Sequence, residues 1–230
     1  MTPTPAGRIL SRREFFYYLP LEKSVFQGYS ITLGKGVFMP SEIDYLKIIE
    51  YFYPQDTPLR KLLLLHSTRV CNKALSIAGK TKIKVDLDVV RNGAMLHDIG
   101  IKACRAPSIF CEGDADYMAH GIIGSEMLRR YAQANHLDLD IYAAICEHHT
   151  GSGITAGEVA AQGLPIPVKD YLPITNEEKL ITLADKFFSK SGDQQEKPLF
   201  QVRRSLGKFG EASLARFDEL CRFFGVENDD

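Results

Sequence analysis

The sequence predicts an all-α protein, a helical bundle with a buried metal site and a short irregular N-terminal extension. Apolar residues recur at helical spacing from Met39 onward, and the alternation typical of strands is nearly absent there. Histidines and aspartates fall on the apolar faces of several of these helices, a common way to build a metal site in a bundle. The length of 230 residues suffices for one hydrophobic core.

Residues 1–38 differ from the rest and are predicted to be an extension ahead of a helical domain at residues 39–230. They open with Thr2-Pro3-Thr4-Pro5 and contain the aromatic run Phe15–Tyr18. A targeting peptide is one interpretation, although the apolar core of a secretory signal is missing. A surface arm, or an extension ahead of a start at Met39, is the other.

The first two helices are indicated by their apolar spacing and by their ends. At helical spacing recur the apolar residues Ile43, Leu46, Ile49 and Tyr53, and Pro54 ends the run. The second helix is predicted to start near Asp56-Thr57-Pro58, where a capping side chain precedes a proline in the first turn, and to stop at Gly79. One face of this helix carries Leu59, Leu62, His66, Val70, Ala74 and Ile77.

Three further helices are predicted in the middle of the chain. The third runs from a cap at Asp86 or Asp88 to about Gly100. The fourth begins at Asp116 or His120 and continues to about Tyr131. The fifth covers about 138–148 and stops at a glycine-containing turn.

The last helices follow a proline-rich connection at 164–173. Thr175 followed by Glu178 is a capping-box pattern and predicts the start of the next helix. The final helical region covers 198–224, with a break at 207–210.

Charge, hydropathy and cysteine content limit the classes of function. The net charge of −1 gives no field that would gather nucleic acid. No apolar run approaches the roughly 20 residues that a membrane helix needs. Five cysteines without zinc-ribbon spacing indicate free thiols and a cytoplasmic protein. A small phosphorylated substrate, such as a nucleotide, remains compatible with this charge, and a homo-oligomer is left open.

The pair His97-Asp98 is the strongest functional signal, because an imidazole beside a carboxylate between apolar neighbours is costly to bury without a partner. A single histidine on an apolar face is more often a hydrogen-bonded core residue, and Asp185 alone would be a surface carboxylate. Neither lysine nor arginine is predicted at the inward positions, so a metal is the expected counter-charge. Nitrogen and carboxylate ligands favour Mn, Fe, Co, Ni or Zn, with Mg possible. The other candidate ligands are His66, His120, His148, His149 and Asp185.

At these residues the chain resembles the HD-domain phosphohydrolase superfamily, whose pattern is a helix histidine, an adjacent His-Asp and a distant aspartate. The string His97-Asp98-Ile99-Gly100 matches the subgroup named for it. Segments 120–126, 147–151 and 178–186 resemble the ligand segments of two-metal members. The resemblance spans about Ile43 to Ser189.

The resemblance implies a set of ligands and a mechanism. The first metal would be held by His66, His97, Asp98 and Asp185. The second would be held by His120 and by His148 or His149, with His149 preferred and Asp98 bridging. Two ions roughly 4 Å apart would activate a water for attack on phosphorus, with His97 and Asp98 at the catalytic centre.

Two substrate classes within the superfamily are distinguished by sequence. Ile101 stands where cyclic-dinucleotide phosphodiesterases usually have lysine, and their Gly-Tyr-Pro signature is missing. This makes a cyclic-dinucleotide substrate less favoured, and the subgroup that hydrolyses dinucleoside polyphosphates is a closer comparison. The function predicted is hydrolysis of a nucleotide or small phosphoester. The alternative is a catalytically silent metal-bound module that regulates a partner.

A solvated surface charge is the first interpretation of any one of four cations, and contact with a substrate phosphate is the alternative: Arg69, Lys102, Arg105 and Lys186. The segment 103–117 is predicted to be a loop beside the pocket.

Overall fold

A computed structural model describes residues 43–192 and 194–227, so the predictions made for residues 1–38 lie outside the described residues. Within the described part, the regular structure is helical apart from one two-stranded hairpin, which confirms the all-α prediction. The helices are α1 Tyr45–Phe52, α2 Pro58–Ala78, α3 Leu87–Leu96, α4 His120–Asn135, α5 Asp140–His148, α6 Ala156–Gln162, α7 Asn176–Asp185, α8 Leu199–Gly207 and α9 Glu211–Phe224.

The predicted starts of α2, α3 and α7 are confirmed by their capping side chains. The Thr57 hydroxyl accepts a hydrogen bond from the backbone N–H of Arg60, and Pro58 occupies the first turn of α2. Of the two candidates for α3, Asp86 is the cap. The capping box at Thr175 is present in full at the start of α7. These local signals place the beginnings of α2, α3 and α7, three of the helices that carry or precede site residues.

Helix α6 was not predicted, although its signal is in the sequence. Thr155 and Glu158 form a second capping box that opens it. The helix has only seven residues and buries only Val159, so it lacks the apolar periodicity by which the other helices are recognised.

Two details of the predicted elements differ in the structure. Of the residues predicted on the apolar face of α1, Ile49 and Tyr53 are buried, but Leu46 is 48% exposed, and Ile48 is buried as well. The loop at 103–117 contains the antiparallel hairpin of β1 Arg105–Ala106 and β2 Cys111–Glu112. Strands of two residues are too short for alternation to appear in the sequence.

The core is built around α2, α3, α5 and α7, which pack against one another, while α4 packs along α5. Helices α8 and α9 pack together, and α9 also contacts α7. The ends of α3, α5 and α7 and the start of α4 therefore come close to the middle of α2. None of the described helices is long and apolar enough to cross a bilayer.

Candidate metal centre

Four predicted ligands from three separate parts of the chain form one buried group. His66 lies on α2, His97 and Asp98 follow α3, and Asp185 is the last residue of α7. The Nε2 atoms of His66 and His97 each lie 3.1 Å from Oδ2 of Asp98. The Nε2 atom of His66 also lies 2.9 Å from Oδ1 of Asp185. This group has the composition predicted for the first metal.

A second group shares the carboxylate of Asp98. Its other oxygen, Oδ1, faces the Nε2 atoms of His120 at 3.5 Å and of His149 at 3.4 Å. His120 is the first residue of α4, and His149 directly follows α5. In each group the potential ligand atoms lie within 4.8 Å of one another. Asp98 is fully buried, and its two oxygens face two different sets of imidazoles.

Three of the four imidazoles are oriented by the same backbone contact. In His97, His120 and His149, Nδ1 lies 2.6–2.7 Å from the carbonyl oxygen three residues earlier. A carbonyl only accepts hydrogen bonds, so Nδ1 carries the proton in the neutral ring. The Nε2 lone pair then faces the cluster, which is the usual arrangement in a metal-ligating histidine.

The contact between His120 and His149 tests whether a cation fits. Their Nε2 atoms are 3.0 Å apart. Since both rings are protonated on Nδ1 when neutral, two lone pairs face each other there and repel. Burial and the neighbouring His149 lower the pKa of His120 to about 3, and burial lowers that of His149. A shared proton is therefore disfavoured, and a divalent cation suits the pair.

Buried atoms that lack good hydrogen bonds give a second test of whether a cation fits this site. Among the described residues, Oδ1 of Asp98 and Nε2 of His97 make no hydrogen bond of good geometry, although ionisable groups lie close to both. Leaving such groups without partners in a protein interior is costly. Both atoms face the shared cluster, and both are of a type that binds divalent transition metals.

The structure places His149, and not His148, in this cluster. The Nδ1 atom of His148 lies 2.7 Å from Oε2 of Glu178, the acidic residue of the capping box that opens α7. His148 therefore links α5 to α7. The remaining histidine of the described residues, His136, follows α4 in a left-handed conformation, away from this cluster.

Of the four candidate phosphate contacts, Lys186 contacts the cluster, through Asp185 and His149. Its Nζ atom lies 2.6 Å from Oδ2 of Asp185 and 3.1 Å from the carbonyl oxygen of His149. It follows α7 directly, so the helix end positions both residues.

The other three cations contact different groups. Arg69 donates to the backbone carbonyl of Gln194. Lys102 is exposed and donates to the carbonyl of Phe52 at 2.5 Å. Arg105 is exposed and pairs with a carboxylate of its own loop at 3.1 Å. Their role in substrate binding stays a prediction.

Lys190 corrects the expectation that no lysine lies among the inward groups. Its Nζ atom is 2.7 Å from Oδ2 of Asp98, and its side chain is 13% exposed. Burial alone would raise the pKa of Asp98, but His97 and Lys190 lower that pKa well below its usual value. Lys190 lies in the non-helical segment after α7, where helical periodicity no longer indicates which side chains point inward.

Gly100 permits the close approach of the His-Asp turn to α4. A Cβ atom at this position would lie 2.2 Å from the carbonyl oxygen of His120 and 2.5 Å from the backbone nitrogen of Gly124. These distances are far below van der Waals contact. The glycine of the string His97-Asp98-Ile99-Gly100 thus allows the second group of imidazoles to reach Asp98.

The fold is all-α and surrounds a buried cage of imidazoles and carboxylates, and it therefore defines a helical domain that could hold divalent metal. The residues of this cage are His66, His97, Asp98, His120, His149 and Asp185. Residues 63–189 match the HD domain family, which is more than half of the chain. The chain belongs to the HD domain family, as the ordered motifs predicted.

Three relatives are similar to this chain over part of their length. An uncharacterised protein of Methanocaldococcus jannaschii is 40% identical over 48% of this chain and 56% of its own. Proteins named tRNA (cytidine(56)-2'-O)-methyltransferase from Picrophilus torridus and Thermoplasma volcanium are 35% and 33% identical. These matches cover 68% and 86% of this chain, and 39% and 51% of the relatives. The chain thus spans about half the length of these relatives. No solved structure matched the chain.

Proposed function

We propose that this protein is a metal-dependent phosphohydrolase that cleaves a nucleotide or a similar small phosphoester. The observation that carries the proposal is Asp98, whose two buried oxygens face two separate groups of nitrogen ligands. A carboxylate shared between two such groups is suited to bridging two divalent ions. The proposed ligands are His66, His97, Asp98 and Asp185 for one ion, and Asp98, His120 and His149 for the other.

The protein's own residues prepare the cage for this chemistry. A pair of bound divalent ions would lower the pKa of a shared water and offset the charge of phosphoryl oxygens. The backbone carbonyls behind His97, His120 and His149 hold the rings with Nε2 inward, so little reorganisation is needed on loading. Lys186 holds its ammonium group beside Asp185, where it adds positive charge for an anionic substrate.

The test combines metal analysis with a hydrolysis panel. Purified protein loaded with Mn²⁺, Fe²⁺, Co²⁺, Ni²⁺, Zn²⁺ or Mg²⁺ is analysed by mass spectrometry and assayed for phosphate release from nucleotides, dinucleoside polyphosphates and phosphomonoesters. We expect one to two ions per chain and hydrolysis of at least one class of substrate. Asp98→Ala should abolish phosphate release while the circular dichroism spectrum stays helical.

A matched control distinguishes the loss of a cage ligand from the loss of any histidine. His136 lies at the end of α4 and is exposed, so His136→Ala should leave both metal content and activity unchanged. A large loss in this variant would show that the site has been misassigned. Metal-replete protein that is inert towards the whole panel would instead favour the regulatory module.

The names of two relatives raise methyl transfer to tRNA as a second candidate. Those names describe proteins of which the chain matches 39% and 51%. The buried nitrogen and carboxylate cage has no evident use in methyl transfer, so hydrolysis is the better-supported proposal. Incubating the protein with labelled S-adenosylmethionine and unmodified tRNA tests the second candidate directly, and methylation that survives Asp98→Ala would favour it.

A further inference from the structure

We propose that Lys190 is a substrate-binding residue that exchanges partners: its ammonium group neutralises Asp98 in the metal-free protein and binds a phosphoryl oxygen once metal is loaded. This inference rests on the proposed function and assigns a residue that the sequence analysis did not select. It also implies an order of binding, in which metal precedes the phosphorylated substrate.

The position of Lys190 is the first argument. Its Nζ atom is 2.7 Å from Oδ2 of Asp98, and the same oxygen lies 3.1 Å from Nε2 of both His66 and His97. The ammonium group is thus at one corner of the first ligand group. A cation bound through that oxygen would compete with the ammonium group for it.

The charges of the centre give the second argument. The carboxylates of Asp98 and Asp185 lie against the ammonium groups of Lys190 and Lys186, which offset their charge. Each divalent ion would add two positive charges, and like charges a few ångströms apart repel strongly where the surroundings are poorly polarisable. The loaded centre would therefore expel an ammonium group from Asp98 and attract anions.

Of the two lysines, Lys190 is the one suited to move. Lys186 also donates to the backbone carbonyl of His149, which anchors it whether or not Asp185 binds metal. Lys190 lies in the non-helical segment after α7, and besides Asp98 its ammonium group contacts the side chain of Tyr117, to whose hydroxyl it is hydrogen-bonded and whose ring centre is 6.0 Å away. A lysine has a flexible four-carbon stem, and an aromatic face offers its ammonium group a second favourable surface. The displaced group would remain beside the cage, within reach of phosphoryl oxygens.

The alternative is that Lys190 is a fixed structural ion pair, and the variant Lys190→Met distinguishes the two. If the ammonium group competes with metal, its removal should lower the Kd for Mn²⁺ about tenfold or more, which calorimetry resolves easily. Inorganic phosphate should bind the Mn²⁺-loaded variant about tenfold more weakly than the loaded wild type. Lys190→Arg should restore phosphate binding, because it keeps the charge.

Lys61→Met is the matched control, since Lys61 is an exposed lysine of α2 that pairs with Asp56. It should change neither affinity. An unchanged Mn²⁺ affinity in Lys190→Met, or undiminished phosphate binding, would overturn the exchange and leave the phosphohydrolase proposal intact. Wild-type protein that binds no divalent metal would overturn both.

A measurement on the wild type covers the case in which Lys190→Met does not fold. Acylation by an amine-specific reagent, located by peptide mass spectrometry, should modify Lys190 slowly in metal-free protein, because the ion pair protects it. Mn²⁺ should increase the rate severalfold, and added inorganic phosphate should suppress it again. Equal acylation of Lys190 in the three states would refute the exchange.

Discussion

Gly100→Ala tests whether the two ligand groups can share Asp98 only because residue 100 has no side chain. The added methyl group would lie 2.2 Å from the carbonyl oxygen of His120, whereas ordinary contact begins at about 3.4 Å. The difference, 3.4 − 2.2, requires the His-Asp turn and α4 to separate by about 1.2 Å. The obstructing atoms are backbone, so no side chain can rotate aside. Gly100 itself has a φ of −82°, which alanine adopts without strain.

The displacement would act first on His120, the first residue of α4. Metal–ligand distances tolerate changes of about 0.2 Å, so a shift of this size should remove the second ion while the first group stays assembled. Overpacking of this kind costs about 1–3 kcal/mol of folding free energy. We therefore expect Gly100→Ala to lose close to one ion per chain and to have a lower free energy of unfolding.

The assay pairs metal analysis by mass spectrometry with urea unfolding of the metal-free protein. Gly157→Ala is the control, because a Cβ atom at Gly157 would meet only Thr155 Oγ1, at 3.9 Å, in ordinary contact. That variant should keep its metal and its stability, since alanine is the better helix former. If Gly100→Ala matches the control in both measurements, the steric account of this glycine is wrong.

Two further perturbations test other parts of the structure. In the metal-free protein, burial lowers the pKa of His97, but Asp98 and Asp185 outweigh this and raise it to about 9. Metal must displace that proton, so Mn²⁺ affinity should rise as pH increases towards about 9 and then level off, and a flat calorimetric series would contradict this. The stability that the protonated ring contributes to the metal-free protein is fully present below pH 6.5 and is lost as pH rises through about 9. Thr155→Ala removes the capping hydroxyl of α6 and should cost about 1 kcal/mol in urea unfolding without changing metal content; loss of metal would show that α6 supports the cage.

Most helices were predictable because their signals are local. Thr57 and Thr175 each cap a helix through hydrogen bonds to backbone groups only three residues away, and such patterns survive in any tertiary context. Helix α6 shows the limit of apolar periodicity, since a helix with one buried residue has almost no apolar face. The family was predictable for a similar reason, because its motifs are short strings whose order is kept along the chain.

The sequence by itself determined that the protein is helical, that it belongs to the HD domain family, and which side chains were available for a buried cage. Only the tertiary structure decided how they meet: the two oxygens of Asp98 face different imidazoles, and His148 turns to Glu178 while His149 joins the cage. It also brought Lys190 onto Asp98 from a segment beyond the end of α7. The physical reason is that helical periodicity reports which face of a helix is buried, whereas distances between groups far apart in the chain depend on the packing of all the helices together.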